Sequence, residues 1–294
     1  MGIERLHLVD GTYELFRAHY SKRPEQRDVD GADAKATLGF VSSMLRLLAD
    51  PTERVTHIGV AFDNPIESFR NELFDGYKTG EGIEPALYAQ FDKVEAAARA
   101  LGLTVWVMDR HEADDALATA ARRWRDEVGQ VRILSPDKDL GQCVRGARVV
   151  QVDQVRQREL DEAGVQARSG VPPQRVPDLL ALVGDDADGI PGLAGFGART
   201  AAALLTHYPS LEAIPDDEAQ WAVQVRGAPR LAAVLREQRA AALLYKRLAT
   251  LAEDVPLPES LADLEWRGVP RAAFLELCAR LGSEGLRSRP TRWA

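Results

Sequence analysis

The sequence predicts an α/β fold with a mostly parallel sheet flanked by helices, followed by a helical C-terminal region. Two observations carry this expectation. Short β-branched runs alternate with helix-period segments through the first half of the chain, the pattern of a parallel sheet covered on both faces. Past about residue 151 the alternation stops, and amphipathic segments separated by Pro- and Gly-marked turns take over.

Residues 5–9 read as the first strand, and residues 34–48 as a helix with Leu38, Val41, Leu45 and Leu48 on one stripe. Residues 55–62 form the second apolar strand, and residues 94–101 close a helix before Gly102. A strand at 104–107, a helix at 113–125, a strand at 131–134 and a further strand at 148–152 follow. The later helices fall at 176–183, 198–205, 230–251 and 271–281. This change of pattern sets the expected organisation: an α/β core over residues 1–165 and a helical region over residues 166–294.

A chain of 294 residues with 45% hydrophobic side chains has enough apolar material for a sizeable core. Cys143 and Cys278 are far apart and lack ligand spacing, so buried, reduced thiols are expected rather than a disulfide framework or a zinc site. The apolar runs are shorter than the roughly 20 residues that cross a bilayer, and the first residues alternate charge with hydrophobe. A cytoplasmic protein with no membrane partner is therefore expected. The formal charge of −8 runs against the basic surplus of most nucleic-acid binders. Total charge hides its distribution, however, because carboxylates gathered at one metal site are cancelled locally by divalent cations.

The acids do recur at meaningful places. In parallel α/β sheets ligands bind beyond the carboxyl ends of strands. Asp10 ends the first strand in LHLVDG and Asp63 ends the second in GVAFD. Glu112, Asp114 and Asp115 follow the third in HEADD, and Asp137 and Asp139 follow the fourth in SPDKD. Glu112 and Asp115 are one helical turn apart and share a face. Each acid taken alone reads as an N-cap or a solvated loop residue, but four successive coincidences weaken that reading. Two unpaired carboxylates about 5 Å apart repel by on the order of 3 kcal/mol at an effective dielectric of about 20. Such a cluster calls for cations, and oxygen-only ligands suit two or more Mg²⁺ or Mn²⁺ ions.

Downstream, GDDADGIPGLAGFGART places Gly192, Gly195 and Gly197 in a turn that opens onto a helix near Ala198, just after Asp185 and Asp188. Backbone N–H groups at such a turn can receive a phosphate, although glycines more often serve ordinary turns. Among the basic residues Arg70, Lys78 and Arg199 are candidates for function. Lys78 has the best case: in FDGYKTGEG it follows a metal-site strand and can orient a scissile phosphate.

Together the motifs VDG, AFD, SFR followed by GYK, HEADD, SPDKDL and GDDADGIPGLAGFGART resemble the 5′ nuclease family. That family includes the 5′–3′ exonuclease domain of bacterial DNA polymerase I, bacteriophage 5′ nucleases and flap endonucleases. The resemblance runs from Leu6 to about Leu205. It implies a PIN-like core, a helix-three-turn-helix element resembling a helix-hairpin-helix, and metal-dependent cleavage of flapped, nicked or gapped DNA in replication and repair.

Carried over residue by residue, Asp10, Asp63, Glu112, Asp114 and Asp115 match the family's first metal group, and Asp137, Asp139, Asp185 and Asp188 match its second. Lys78 matches its phosphate-contacting lysine. Arg17 and Arg70 resemble basic residues near its active site. The hairpin glycines match the element that grips duplex backbone and often holds K⁺, with Arg199 where many relatives have Lys.

One departure is Glu81, where many polymerase-linked relatives carry Arg. The resemblance further implies a monomer at the bacterial nucleoid, working with a DNA polymerase and a ligase. Between a stand-alone nuclease and a fragment of a longer protein, the stand-alone reading is expected, since the tail after Arg287 shows no start of a further domain. Two other functions compete with this one: a ribonuclease on the same core, and a non-catalytic structure-specific DNA-binding protein, against which retention of all nine acids speaks.

Overall fold

The computed structural model describes residues 2–294. Contacts gather the chain into two compact units, each drawing on more than one stretch of sequence. The first comprises the residues through Glu67, then Gly80–Ser135 and Glu253–Ala294; the second comprises Ser68–Thr79 and Pro136–Ala252.

In chain order the first unit opens with β1 (Ile3–Asp10), α1 (Gly11–His19), α2 (Lys35–Ala49) and β2 (His57–Asp63). The short helix α3 (Phe69–Leu73) belongs to the second unit. The first resumes with α4 (Pro85–Tyr88), α5 (Phe91–Ala100), β3 (Thr104–Met108), α6 (Ala113–Trp124) and β4 (Val128–Leu134). The second then takes β5 (Val149–Asp153), β6 (Arg158–Leu160), α7 (Glu162–Ser169), α8 (Val176–Val183), α9 (Ala198–His207) and α10 (Ala228–Ala249). Helix α11 (Arg271–Arg280) returns to the first.

In the first unit the strands run parallel in the order β3-β2-β1-β4, with Val9 opposite Val60 and Leu134, and Val60 opposite Val105. Leu6, Leu8, Ile58, Val60 and Ile133 are fully buried. Strands this uniformly apolar need cover on both faces, and helices supply it. Helix α6 packs across all four strands, α1 packs on β2 and α2, and α5 packs on β3. Gly59 lies under the ring of Trp106, which stacks on Trp124 of α6 with centroids 6.2 Å apart. The four strands and helices α2, α5 and α6 are as the sequence predicts.

The second unit pairs β5 with β6 antiparallel and is otherwise helical. Its core is α8, whose Val176, Leu179, Leu180, Ala181 and Leu182 are buried against residues of α9 and α10 such as Leu204, Leu235 and Leu248. Lys246 of α10 pairs with the buried carboxylate of Asp178 at 2.7 Å and with Glu212 at 2.8 Å, tying α10 to α8.

Five elements have no counterpart in the sequence reading: α1, α3, α4, β6 and α7. Helix α1 follows β1 with no intervening loop, so no turn signal separates them; β6 is a three-residue polar run, and α7 buries only Val165. The two cysteines are free and buried. Among the described residues no helix is long and apolar enough to cross a membrane.

Candidate active site

In the first unit the acids sit at the carboxyl end of the sheet, and main-chain donors hold them there. Asp10 is the last residue of β1 and the N-cap of α1. Its Oδ1 accepts the Tyr13 N–H at 2.8 Å, and its Oδ2 accepts the Ser135 hydroxyl at 2.9 Å. The chain turns into helix at once because the next residue is glycine: a Cβ on Gly11 would lie 2.4 Å from the Phe62 ring and 2.7 Å from the Ala61 carbonyl. Asp63 ends β2 and accepts the Ala113 N–H at 2.7 Å, while its own N–H donates to Thr12 Oγ1 at 2.8 Å. Asp115 accepts the Glu112 N–H at 2.9 Å at the start of α6. Glu112 and Asp115 are buried, and Asp114 is partly exposed. Thus Asp10, Asp63 and Asp115 each satisfy an N–H that a helix start leaves over.

In the second unit the acids converge on one another. Asp139, Asp185 and Asp188 each bring a carboxylate oxygen to within 4.8 Å of the others. Asp139 and Asp185 are buried, and Oδ1 of Asp139 has no hydrogen-bond partner. Asp137 accepts the Asp139 N–H at 2.9 Å. Asp185 and Ile190 pair through their main chains at 2.7 and 2.8 Å, folding residues 185–190 into a tight hairpin.

Two lysines face these acids. Lys78 reaches Asp188 at 2.8 Å and Lys138 reaches Asp185 at 2.7 Å. The stretch holding Lys78 is docked on the hairpin: its N–H donates to the Asp188 carbonyl at 3.0 Å. Gly189 allows this approach, since at φ +73 a Cβ there would lie 2.1 Å from the Gly76 carbonyl.

Burial pushes the Asp139 carboxyl well above the ordinary range, and the charges of Asp137, Asp188 and Asp185 push it further. Asp137 contacts solvent, yet protein packed around its carboxyl raises it, the Asp139 N–H lowers it, and Asp188 and Asp185 raise it again. For Lys138, desolvation works downward, but the Asp185 bond and the surrounding carboxylates outweigh it and hold the ammonium above its usual value. A buried carboxylate oxygen without a partner, in a set of oxygen donors alone, fits a hard divalent cation.

The remaining candidates fall in different places. Arg70 is 1% exposed and donates to the carbonyls of Leu248 at 2.8 Å and Thr250 at 3.1 Å, at the end of α10. Arg17 is held by Glu14 and by Ser43 Oγ at 2.8 Å, an arrangement that joins α1 to α2. Burial lowers the Arg17 guanidinium's pKa, but its bond to Glu14 raises it by more. Gly192 and Gly195 have φ of +67 and +90, whereas Gly197 has an ordinary φ of −104 and precedes α9 as its N-cap. Arg199 is exposed in the first turn of α9, and Glu81 is exposed. Lys138 and Gly189 were not singled out from the sequence, although both stand inside the acidic motifs, in PDKD and in DDADGI.

A family profile described as "5′-3′ exonuclease, N-terminal resolvase-like domain" matches residues 5–170, and one described as "5′-3′ exonuclease, C-terminal SAM fold" matches residues 171–272. The chain belongs to the 5′–3′ exonuclease family. The chain is 34% identical over 267 residues to a DNA polymerase I of Rhizobium leguminosarum, an alignment covering 89% of this chain and 26% of that protein. The chain thus spans about a quarter to a third of the length of such relatives.

Among solved structures, the flap endonuclease of bacteriophage T5, in a product-like complex with DNA and metal ions, superposes with a TM-score of 0.62 at 21% identity, covering 84% of this chain and 89% of that one. The catalytic core of Rad2 in complex with DNA substrate superposes with a TM-score of 0.58 at 14% identity, covering 98% and 91%. The chain therefore shares the PIN-like α/β fold with a SAM-type helical region, and it belongs to a family of nucleases.

Proposed function

We propose that the chain hydrolyses phosphodiesters in branched, nicked or gapped DNA, as a 5′–3′ exonuclease and 5′-flap endonuclease of replication and repair. The observation that carries this reading is the meeting of Asp139, Asp185 and Asp188 within 4.8 Å, with Lys78 bonded to Asp188. In this reading Asp10, Asp63, Glu112, Asp114 and Asp115 hold one Mg²⁺ or Mn²⁺ ion, and Asp137, Asp139, Asp185 and Asp188 hold another. Bound divalent ions activate water and stabilise the attacking and leaving oxygens of a phosphodiester.

The protein's own groups do the rest. Lys78, anchored by Asp188, presents an ammonium that orients the scissile phosphate and offsets charge developing on its oxygens. The main-chain N–H groups at the start of α9 receive backbone phosphates of the duplex, with Arg199 adding charge beside them and K⁺ bound at the same hairpin. Residues 166–294 act as the DNA-binding region and residues 1–165 as the nuclease core. Arg17 and Arg70 act indirectly, by holding the helices that they join. The chain works as a cytoplasmic monomer at the nucleoid, alongside a DNA polymerase and a ligase.

The test is to incubate the protein with labelled flap DNA, single-stranded RNA and intact duplex, in Mg²⁺, Mn²⁺ or chelator. Metal-dependent cutting near the flap junction is expected. Protein that binds flap DNA and leaves it uncut in every metal contradicts the proposal.

A further inference from the structure

Lys138 occupies an unusual place in the second unit. Its backbone is fixed, since its carbonyl accepts the Gly141 N–H at 3.1 Å and Arg168 Nη2 at 3.2 Å. Its side chain is half exposed and could extend into water, yet Nζ turns back to Oδ1 of Asp185 at 2.7 Å. That carboxylate is only 4% exposed and belongs to the group that meets within 4.8 Å. The flanking residues on either side, Asp137 and Asp139, are acids of the same cluster. An ammonium is a donor at every position, so an oxygen engaged with it is open to a cation only after Nζ withdraws.

We propose that Lys138 is the resident counter-ion of this cluster: its ammonium neutralises Asp185 and is displaced when a divalent cation binds, so that binding exchanges one positive charge for two. The inference rests on the reading of Asp139, Asp185 and Asp188 as cation ligands. Two consequences follow from the exchange. Lys138 holds the acids together when no divalent cation is bound, and it weakens the cation's apparent affinity, because the cation must compete for Asp185 against a tethered charge. Its fixed backbone and half-exposed side chain suit this role, since only the side chain has to move.

The experiment titrates the full chain with Mn²⁺, without DNA, by calorimetry and paramagnetic resonance, comparing the native protein with Lys138→Met and Lys138→Arg. Removing the competing charge is expected to tighten Mn²⁺ binding about tenfold or more in Lys138→Met, whereas Lys138→Arg, which keeps the charge, stays within about threefold of native. In chelator Lys138→Met melts at a lower temperature than the native chain, and the deficit vanishes at saturating Mn²⁺. An Asp139→Asn background abolishes the affinity difference, which assigns it to this cluster.

Unchanged or weaker Mn²⁺ binding by folded Lys138→Met overturns the exchange. Should that variant fail to fold, Lys138→Gln answers the same question. A native chain that binds no Mn²⁺ at this cluster overturns the ligand reading itself, and a chain that shows the exchange but leaves DNA uncut overturns only the nuclease proposal.

Discussion

The acids of the first unit and those of the second are held by opposite means. Asp10, Asp63 and Asp115 are each bonded to a main-chain N–H at a helix start, so each contributes to the fold where it stands. Asp139, Asp185 and Asp188 are pressed against one another, with two lysines offsetting their charge and one buried oxygen of Asp139 unpartnered. Carboxylates that cap helices stabilise the chain without any ion, while carboxylates that crowd together destabilise it until a cation arrives. The two regions therefore respond differently to mutation, pH and metal.

The largest expected effect lies in the second unit. Asp139→Ala should lower flap-DNA cleavage by about a thousandfold or more. Its affinity for the same DNA in chelator should stay within about twofold of native, because Asp139 is placed among cation ligands rather than phosphate contacts. Single-turnover kinetics and fluorescence anisotropy read the two quantities, and an active Asp139→Ala enzyme would remove that residue from the metal site.

Next comes Arg70, whose guanidinium is buried against carbonyls at the end of α10. Arg70→Met should cost about 2–4 kcal/mol in urea unfolding, since it strands buried acceptors. A stable Arg70→Met variant with lost activity would instead place Arg70 at the chemistry.

Smaller changes test the contrast between the acids directly. Asp115→Ala should destabilise the chain by about 1–2 kcal/mol with or without metal, through loss of its bond to the Glu112 N–H. Asp139→Asn should do the reverse in chelator and raise the melting temperature, because it removes a crowded charge.

The pH dependence follows from the same asymmetry. The folded pKa of Asp139 lies above its unfolded value, so its contribution to stability is fully present below the unfolded pKa and is lost as pH rises through the folded one. Glu53 in the first unit behaves oppositely. Its bond from His7 and the Arg132 guanidinium outweigh burial and hold its carboxyl at about 2, so its contribution is present above the ordinary glutamate range and is lost as pH falls towards 2. Melting curves of the chelated protein across the acid range, with Asp139→Asn and Glu53→Gln alongside, should separate the two. An Asp139→Asn curve parallel to native would contradict the crowded-carboxylate account.

The smallest effect belongs to the exposed Arg199. Arg199→Ala should weaken flap-DNA binding only about two- to fivefold and reduce the salt slope by about 1. Loss of cleavage with unchanged binding would move Arg199 out of a phosphate-contacting role.

What the sequence made legible was whatever leaves a periodic or terminal signature. The apolar runs of β1, β2 and β4 and the acids that close or follow the strands were readable because a buried parallel sheet forces uninterrupted hydrophobes and ends them abruptly. Helix α1 escaped because it starts directly after the strand's last residue, with Gly11 turning the chain in a single step. Arg70 reads from the sequence as a basic residue near the active site, and nothing local reveals its bonds to carbonyls some 180 residues away, at Leu248 and Thr250. Lys138 and Gly189 were hidden for a similar reason: their roles depend on Asp185 and on Gly76, residues far away in the chain.

The claim that matters most is that Asp139, Asp185 and Asp188 form a divalent-cation site. Mn²⁺ bound per chain, counted by paramagnetic resonance for the native protein and for Asp139→Asn, tests it most directly. The account predicts that the substitution removes one bound ion while the thermal midpoint in chelator stays at or above native. An Asp139→Asn protein that binds Mn²⁺ with the native stoichiometry and affinity would contradict it.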